Sequence, residues 1–197
     1  VEQAGRSIGS KWNMKIRDYQ LYHVRPRYLL LKIETDDGLY GWGEPTLEGQ
    51  TPAVEAAIRQ LMRLIKGEDP RRIEHLWQRM YRGGFYRGGP VLCSAISGIE
   101  QALWDILGKS LNAPVYQLLG GRVRDQIRLY GQIGSRRPEI LIERFRRLRA
   151  KGMTMAKFSP WWATRIVDSP AVVERAVNLM AAVREEAGSR FDLALDC

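Results

Sequence analysis

Cysteine and histidine are close to absent, with two of each in 197 residues. Cys93 and Cys197 give neither a disulfide framework nor a zinc spacing. Cys93 falls within a helical apolar stripe, where a small core residue is expected. So few thiols fit a reducing cytoplasm. Long apolar runs are missing too, since none reaches the roughly 18 residues that a membrane span needs. Residues 1–13 (VEQAGRSIGSKWN) lack the apolar centre of a signal peptide and read as a loose leader outside the fold. No short-period repeat and no low-complexity tract occurs.

What is present is ordinary for a globular chain: 45% hydrophobic and 27% charged residues, enough for one domain or two small ones with a buried core. The net charge of +9 stands out. A basic balance of that size fits nucleic acid, a membrane surface or an anionic small substrate. Most of the basic residues are arginines scattered over helical segments, and 144–151 (RFRRLRAK) is the one dense cluster. There Leu141, Phe145 and Leu148 keep helical spacing and the arginines take the remaining face. A solvated helix face is therefore expected there, with neither nucleic acid nor membrane as partner.

Residues 14–25 and 28–36 are rich in β-branched, aromatic and apolar residues, and the Asp37-Gly38 pair makes a hairpin turn into 39–44. Three neighbouring strands on tight links predict an antiparallel meander. Thr51-Pro52 then opens a helix to about Lys66, and Asp69-Pro70 opens another to about Arg82. Past the glycine-rich loop RGGFYRGGP (82–90), the stripe Leu92, Ile96, Ile99, Leu103 and Ile106 marks a buried helix over roughly 91–111.

After Gly120-Gly121 the pattern changes. A strand at 126–131, a helix at 138–151, a strand at 153–158, a helix at about 170–187 and a strand at 191–196 alternate, which argues for parallel strands with crossover helices. Such a pattern fits a small open sheet as well as the beginning of an eight-stranded barrel. The last strand has no helix after it, whereas a parallel strand normally has both faces covered, and this favours a barrel cut short.

Three long segments, in order, carry a family resemblance: LLKIETDDGLYGWGEP (30–45), DPRRIEHLWQRMYRGGFYRGGP (69–90) and ALWDILGKSLNAPVYQLLGG (102–121). Together they resemble the mandelate racemase and muconate lactonizing enzyme group of the enolase superfamily, over essentially all of Met14 to Asp196. Within that group GWGEPTLEG (41–49) and FYRGGP (85–90) are most similar to galactonate dehydratases and related sugar-acid dehydratases. The resemblance implies an α+β capping domain over 14–121, followed over 122–197 by the first β/α units of a modified TIM barrel, incomplete. It implies a reaction in which a proton beside a carboxylate is removed and the ene-diolate is stabilised by magnesium, Mg2+. A hard divalent cation is needed because that proton is a very weak acid and the oxyanion charge must be held.

Carried over position by position, Asp196 at the end of the third parallel strand falls on the first magnesium ligand. Taken alone, a strand-end Asp is more often a helix cap or turn residue. Lys157, ending the second parallel strand, falls where the family's lysines touch the substrate carboxylate or act as base. The segment reads Lys157-Phe158-Ser159, so the second lysine of the family's Lys-x-Lys is missing, which weighs against a lysine-based racemase. The dehydratase group places a histidine two residues after the first ligand, which would be position 198. Arg25, Arg27, Tyr28 and the 45–50 loop with Glu48, together with Tyr86 and Arg87, are candidate substrate-binding elements, because a guanidinium donates paired hydrogen bonds to carboxylates and hydroxyls. Each would otherwise be a surface or packing residue. Glu44, Trp42, Trp104 and Asp105 read as structural, with Asp105 and Lys109 spaced to pair on a helix. His23 and His75 lie away from the family's catalytic histidines and also read as structural.

The expectation is a magnesium-dependent dehydratase of a galactonate-like aldonic acid, a small anionic substrate, with a homo-oligomer in the full-length form. The 197 residues alone are expected to be inactive. The alternatives are a hydroxy-acid racemase or epimerase of the same superfamily and a non-catalytic interaction module.

Overall fold

Alternating apolar residues build the first sheet. In a computed structural model that describes residues 13–135, 137–161, 164–165 and 167–196, β1 (Ile16–Val24), β2 (Tyr28–Thr35) and β3 (Tyr40–Gly43) pair antiparallel in the order β1-β2-β3. Leu29, Leu31, Ile33 and Thr35 of β2 are buried on one face, while Leu30, Lys32 and Glu34 lie half-buried on the other. Gly38, at φ +88°, turns β2 into β3. The buried Thr35 hydroxyl donates to the Leu39 carbonyl at 2.9 Å, which closes the hairpin without an unpaired polar group. This is the expected meander. The leader expected over 1–13 lies outside the described residues except for Asn13, and so does Cys197.

Helices α1 (Thr51–Ile65) and α3 (Pro90–Leu111) pack on the inner face and α2 (Ile73–Arg82) packs on both of them, with a short α4 (Val115–Leu118) after α3. Of the expected stripe, Ile96, Ile99, Leu103 and Ile106 are buried in α3, while Leu92, in its first turn, is half-buried. β3 runs so close to α3 that a Cβ on Gly43 would lie 1.8 Å from the Gly98 carbonyl oxygen, and one on Gly41 2.0 Å from that of Ala102. Only glycine permits that approach. Asp105 fastens the same seam, since its Oδ2 accepts the Trp42 backbone N–H at 2.9 Å and the Lys109 ammonium at 2.8 Å.

Two expectations for this region are corrected. Cys93 is exposed, not a core residue, because it lies at the edge of the stripe, well round the helix from the buried centre at Ala95, Ile99, Ala102 and Ile106. α2 begins at Ile73, not at Asp69-Pro70. Asp69 instead folds the preceding turn, accepting the Arg71 backbone N–H at 3.0 Å and a two-point contact from its guanidinium at 2.8 and 2.7 Å.

The chain forms two compact units that divide between Val123 and Arg124. In the second, β4 (Gly131–Gln132), α5 (Pro138–Ala150), β5 (Met155–Phe158), α6 (Ala171–Ala187) and β6 (Asp192–Leu195) alternate, and the strands form a parallel sheet in the order β4-β5-β6. Its core is Ile133, Leu141, Phe145, Ala156, Phe158, Val183, Ala187 and Phe191, with the Phe145 and Phe191 rings edge to face at 4.7 Å. The fold is an α+β capping domain with an antiparallel sheet, followed by the parallel strands of a barrel start.

The first parallel strand is shorter than the expected 126–131. Laddering begins only at Gly131, and before it Arg128 spans β5 and β6 with its side chain, donating to the Thr154 carbonyl at 2.8 Å and hydroxyl at 2.9 Å and pairing with Asp192. The basic face of α5 is solvated as expected: Arg144, Arg146, Arg147 and Arg149 are exposed, and Arg146 and Arg147 pair with Glu186 and Glu143. Among the described residues no helix is long and apolar enough to cross a membrane.

Candidate active site

Parallel strands deliver side chains to one end of a sheet, and β5 and β6 end on charge. Lys157 lies opposite Ala194 in the ladder, and Phe158 opposite Leu195. Asp196, two residues beyond Ala194, shares its face with Lys157. The Asp196 N–H donates to the Phe158 carbonyl at 3.0 Å, which carries the ladder one step past β6 and fixes the aspartate beside the end of β5. The result is a Lys157 Nζ to Asp196 Oδ2 contact of 3.0 Å. The ammonium also lies 5.7 Å from the centre of the Tyr130 ring. The hydrogen bond to the Asp196 carboxylate, opposed in part by burial, raises the Lys157 pKa above its usual value of 10.5 and keeps it a cation.

Sequence reasoning missed two residues at this end of the sheet. Gln132 is exposed and lies directly opposite Lys157 in the β4-β5 ladder, and Tyr130 is two residues before it. The alternation of Tyr130, Gly131 and Gln132 was the available signal, since small Gly131 faces the Leu148 side chain and leaves its neighbours facing the other way.

In the first unit, three of the candidate binding residues come together. Arg27, in the turn between β1 and β2, pairs with Glu48 Oε1 at 2.7 Å, and its guanidinium lies 5.7 Å from the Tyr28 ring centre. The 45–50 loop that carries Glu48 is tied to β2 by the Leu29 N–H donating to Thr46 Oγ1 at 3.0 Å. Arg25 is exposed in the same turn region. Tyr86 and Arg87 belong instead to the loop between α2 and α3, where both are exposed. His23 contacts the Glu55 carboxylate on α1, and His75 is exposed on α2.

Asp196 offers magnesium the hard carboxylate oxygen that it requires, with a side chain 53% exposed. Among the described residues no group of three or more His, Cys, Asp or Glu converges into a metal cage. The residues present therefore fit one ligand of such a site.

An α+β cap of meander and helices, followed by β/α units whose strand ends present a lysine and an aspartate, defines the enolase-superfamily class of architecture. The sequence profile of the mandelate racemase/muconate lactonizing enzyme N-terminal domain matches residues 22–120. The chain belongs to that family. It is 51% identical over 183 residues to a D-galactonate dehydratase from Cronobacter sakazakii and 49% identical over the same length to one from Xanthomonas oryzae pv. oryzae. Each alignment covers 93% of this chain and 48% of the relative, so the chain spans about half the length of the curated relatives it matches. Among solved structures it is similar, at a TM-score of 0.81 and 28% identity, to an enolase from Pantoea ananatis with bound D-gluconate and Mg. That match covers 93% of this chain and 53% of the other.

Proposed function

We propose that this chain supplies the cap and the first acid-binding strand ends of a magnesium-dependent sugar-acid dehydratase acting on a galactonate-like aldonic acid. The observation that carries the reading is the 3.0 Å contact between Lys157 and Asp196 at the C-terminal ends of two adjacent parallel strands, where barrels of this kind place their chemistry. Identity near 50% to D-galactonate dehydratases supports the choice of substrate class.

Lys157, kept protonated, is a donor for the substrate carboxylate. Asp196 would hold magnesium through one oxygen, and the bound metal would supply the positive charge that lets a carbon beside a carboxylate lose its proton. Gln132, in line with Lys157, offers an amide to a substrate hydroxyl. In the cap, Arg27 with Tyr28 and Glu48, and Tyr86 with Arg87, are the proposed contacts to the polyol; Arg25 belongs with them as a further cation. Removal of the α-proton and loss of the β-hydroxyl as water leave an enol, which becomes a 2-keto-3-deoxy acid. The remaining metal ligands and the acid/base groups are proposed to come from outside these 197 residues, so the chain by itself is inactive.

The test is formation of 2-keto acid from a panel of aldonic acids with Mg2+, run on the 197-residue chain and on the protein isolated from its source. Keto-acid formation by the isolated protein and none by the chain is the expected result. Turnover by the chain alone overturns the division of labour, and no turnover of any aldonic acid by the isolated protein overturns the dehydratase reading.

A further inference from the structure

At the end of the parallel sheet opposite Lys157 and Asp196, the chain enters β5 through Thr154 and β6 through Phe191. A cleft of about 340 Å3 opens there, walled by Arg149 near the end of α5, by Thr154, and by the turn from Ala187 to Phe191 that follows α6. That turn is tied at both ends. Gly188, at φ +70°, stops α6, and the Arg184 guanidinium donates to the Gly188 carbonyl at 2.9 Å and to the Phe191 carbonyl at 2.7 Å. The Phe191 ring is itself anchored in the core. Ser189 and Arg190, between those ties, are exposed and line the cleft.

The cations around this cleft divide into two groups. Arg128 is spent on Asp192 and on the Thr154 hydroxyl, which accepts from it and keeps its own proton to donate. Arg146 is spent on Glu186, holding both carboxylate oxygens at 3.0 and 2.7 Å. Arg149 and Arg190 both line the cleft and form no ion pair among the described residues. The C-termini of α5 and α6 each bring about half a negative charge, which offsets one of these two guanidinium charges and leaves the other in excess. Two guanidinium forks and two hydroxyls around one cleft are more donors than the two oxygens of a carboxylate can use, whereas a phosphate group offers three or more. The volume falls in the roughly 300–1,000 Å3 range of small-molecule pockets, so an organic group attached to the phosphate has room. We propose that this cleft binds a phosphate group, free or as the monoester of a small polyol, through Arg149 and Arg190 with Thr154 and Ser189 as hydroxyl donors.

Calorimetric titration of the protein isolated from its source, with inorganic phosphate and with glucose 6-phosphate, tests this. Run with EDTA present and against sodium chloride of matched ionic strength, it should show a saturable site at low millimolar concentration. Tighter binding of glucose 6-phosphate assigns the site to a monoester, and tighter binding of inorganic phosphate assigns it to the free ion. Arg149→Gln and Arg190→Gln should each weaken binding at least about ten-fold with unchanged circular dichroism. Arg190→Lys, which keeps the charge but loses the fork, should recover part of that loss. Arg147→Gln, on the same helix as Arg149 but at a position paired with Glu143, should bind as the unsubstituted protein does. No saturable binding of either probe, binding that survives both glutamine substitutions, or an equal loss in Arg147→Gln each overturns the proposal.

Discussion

The two units solve the burial problem differently. The first has an antiparallel sheet with one face on helices, so a single layer of α1, α2 and α3 closes a core that runs from Met14 to Ile106. The other sheet face carries Tyr22, Tyr40 and Trp42 partly exposed, a state that antiparallel sheets tolerate. The second unit has a parallel sheet, which is stable only with both faces covered. Its core is small, and Ile127, Leu129, Val173, Val177 and Leu195 remain exposed. The first unit closes its core with its own helices, while the sheet that carries Lys157 and Asp196 leaves Leu195 exposed at its end.

The largest effect expected from that contrast is unequal response to a core deletion. Phe145→Ala removes the centre of the small core and should destabilise it by about 3–5 kcal/mol. That is enough to unfold the second unit while backbone amides of α3 keep their hydrogen-exchange protection. Loss of protection in both units would show that they unfold as one and would break the comparison. Next in size, Gly43→Ala forces β3 off α3 and should cost the first unit about 1–3 kcal/mol, read as a lower thermal midpoint for that unit only.

Acid separates the units more finely. The Arg71 guanidinium holds Asp69 below its ordinary pKa, and Lys32, then Arg17, do the same for Glu34. In the second unit backbone N–H groups lower Asp168, and Arg146 lowers Glu186. A carboxylate depressed in the folded state stabilises it above the unfolded pKa near 4, and that contribution is lost as pH falls through the folded value. Both units should weaken below about pH 4. In about 1 M salt, where screening reaches roughly 3 Å, the acid limb of the first unit should flatten more than that of the second, because Asp69 and Glu34 are both lowered by ion-pair partners while Asp168 is lowered by backbone N–H groups. Equal flattening in urea titrations would remove this distinction. The smallest effect on folding belongs to Lys157→Met: a half-exposed ion pair contributes little stability, so both thermal transitions should stay in place.

Periodicity made most of the architecture legible. The meander, the buried stripe of α3 and the β/α alternation all follow from residues that repeat at two or at three to four positions. What escaped were competitions between side chain and backbone. Asp69 takes the Arg71 N–H and delays α2; Arg128 spends its side chain on Thr154 and Asp192 ahead of a two-residue β4; Cys93 lies at the edge of the α3 stripe, outside its buried centre. At the candidate site, the pairing of Lys157 with Asp196 required the register of two strands distant in sequence, and Gln132 emerged only once that register was known. The polar cap cluster of Arg27, Tyr28 and Glu48 depends on a loop tied down by Thr46, a contact that no local pattern announces.

The most direct test is Mg2+-dependent 2-keto acid formation from D-galactonate by the protein isolated from its source, compared with its Asp196→Asn variant. The account predicts turnover in the unsubstituted protein and a loss of at least about 1,000-fold in the variant, with unchanged circular dichroism. Undiminished turnover in Asp196→Asn would contradict it, since the strand-end aspartate would then have no part in the chemistry.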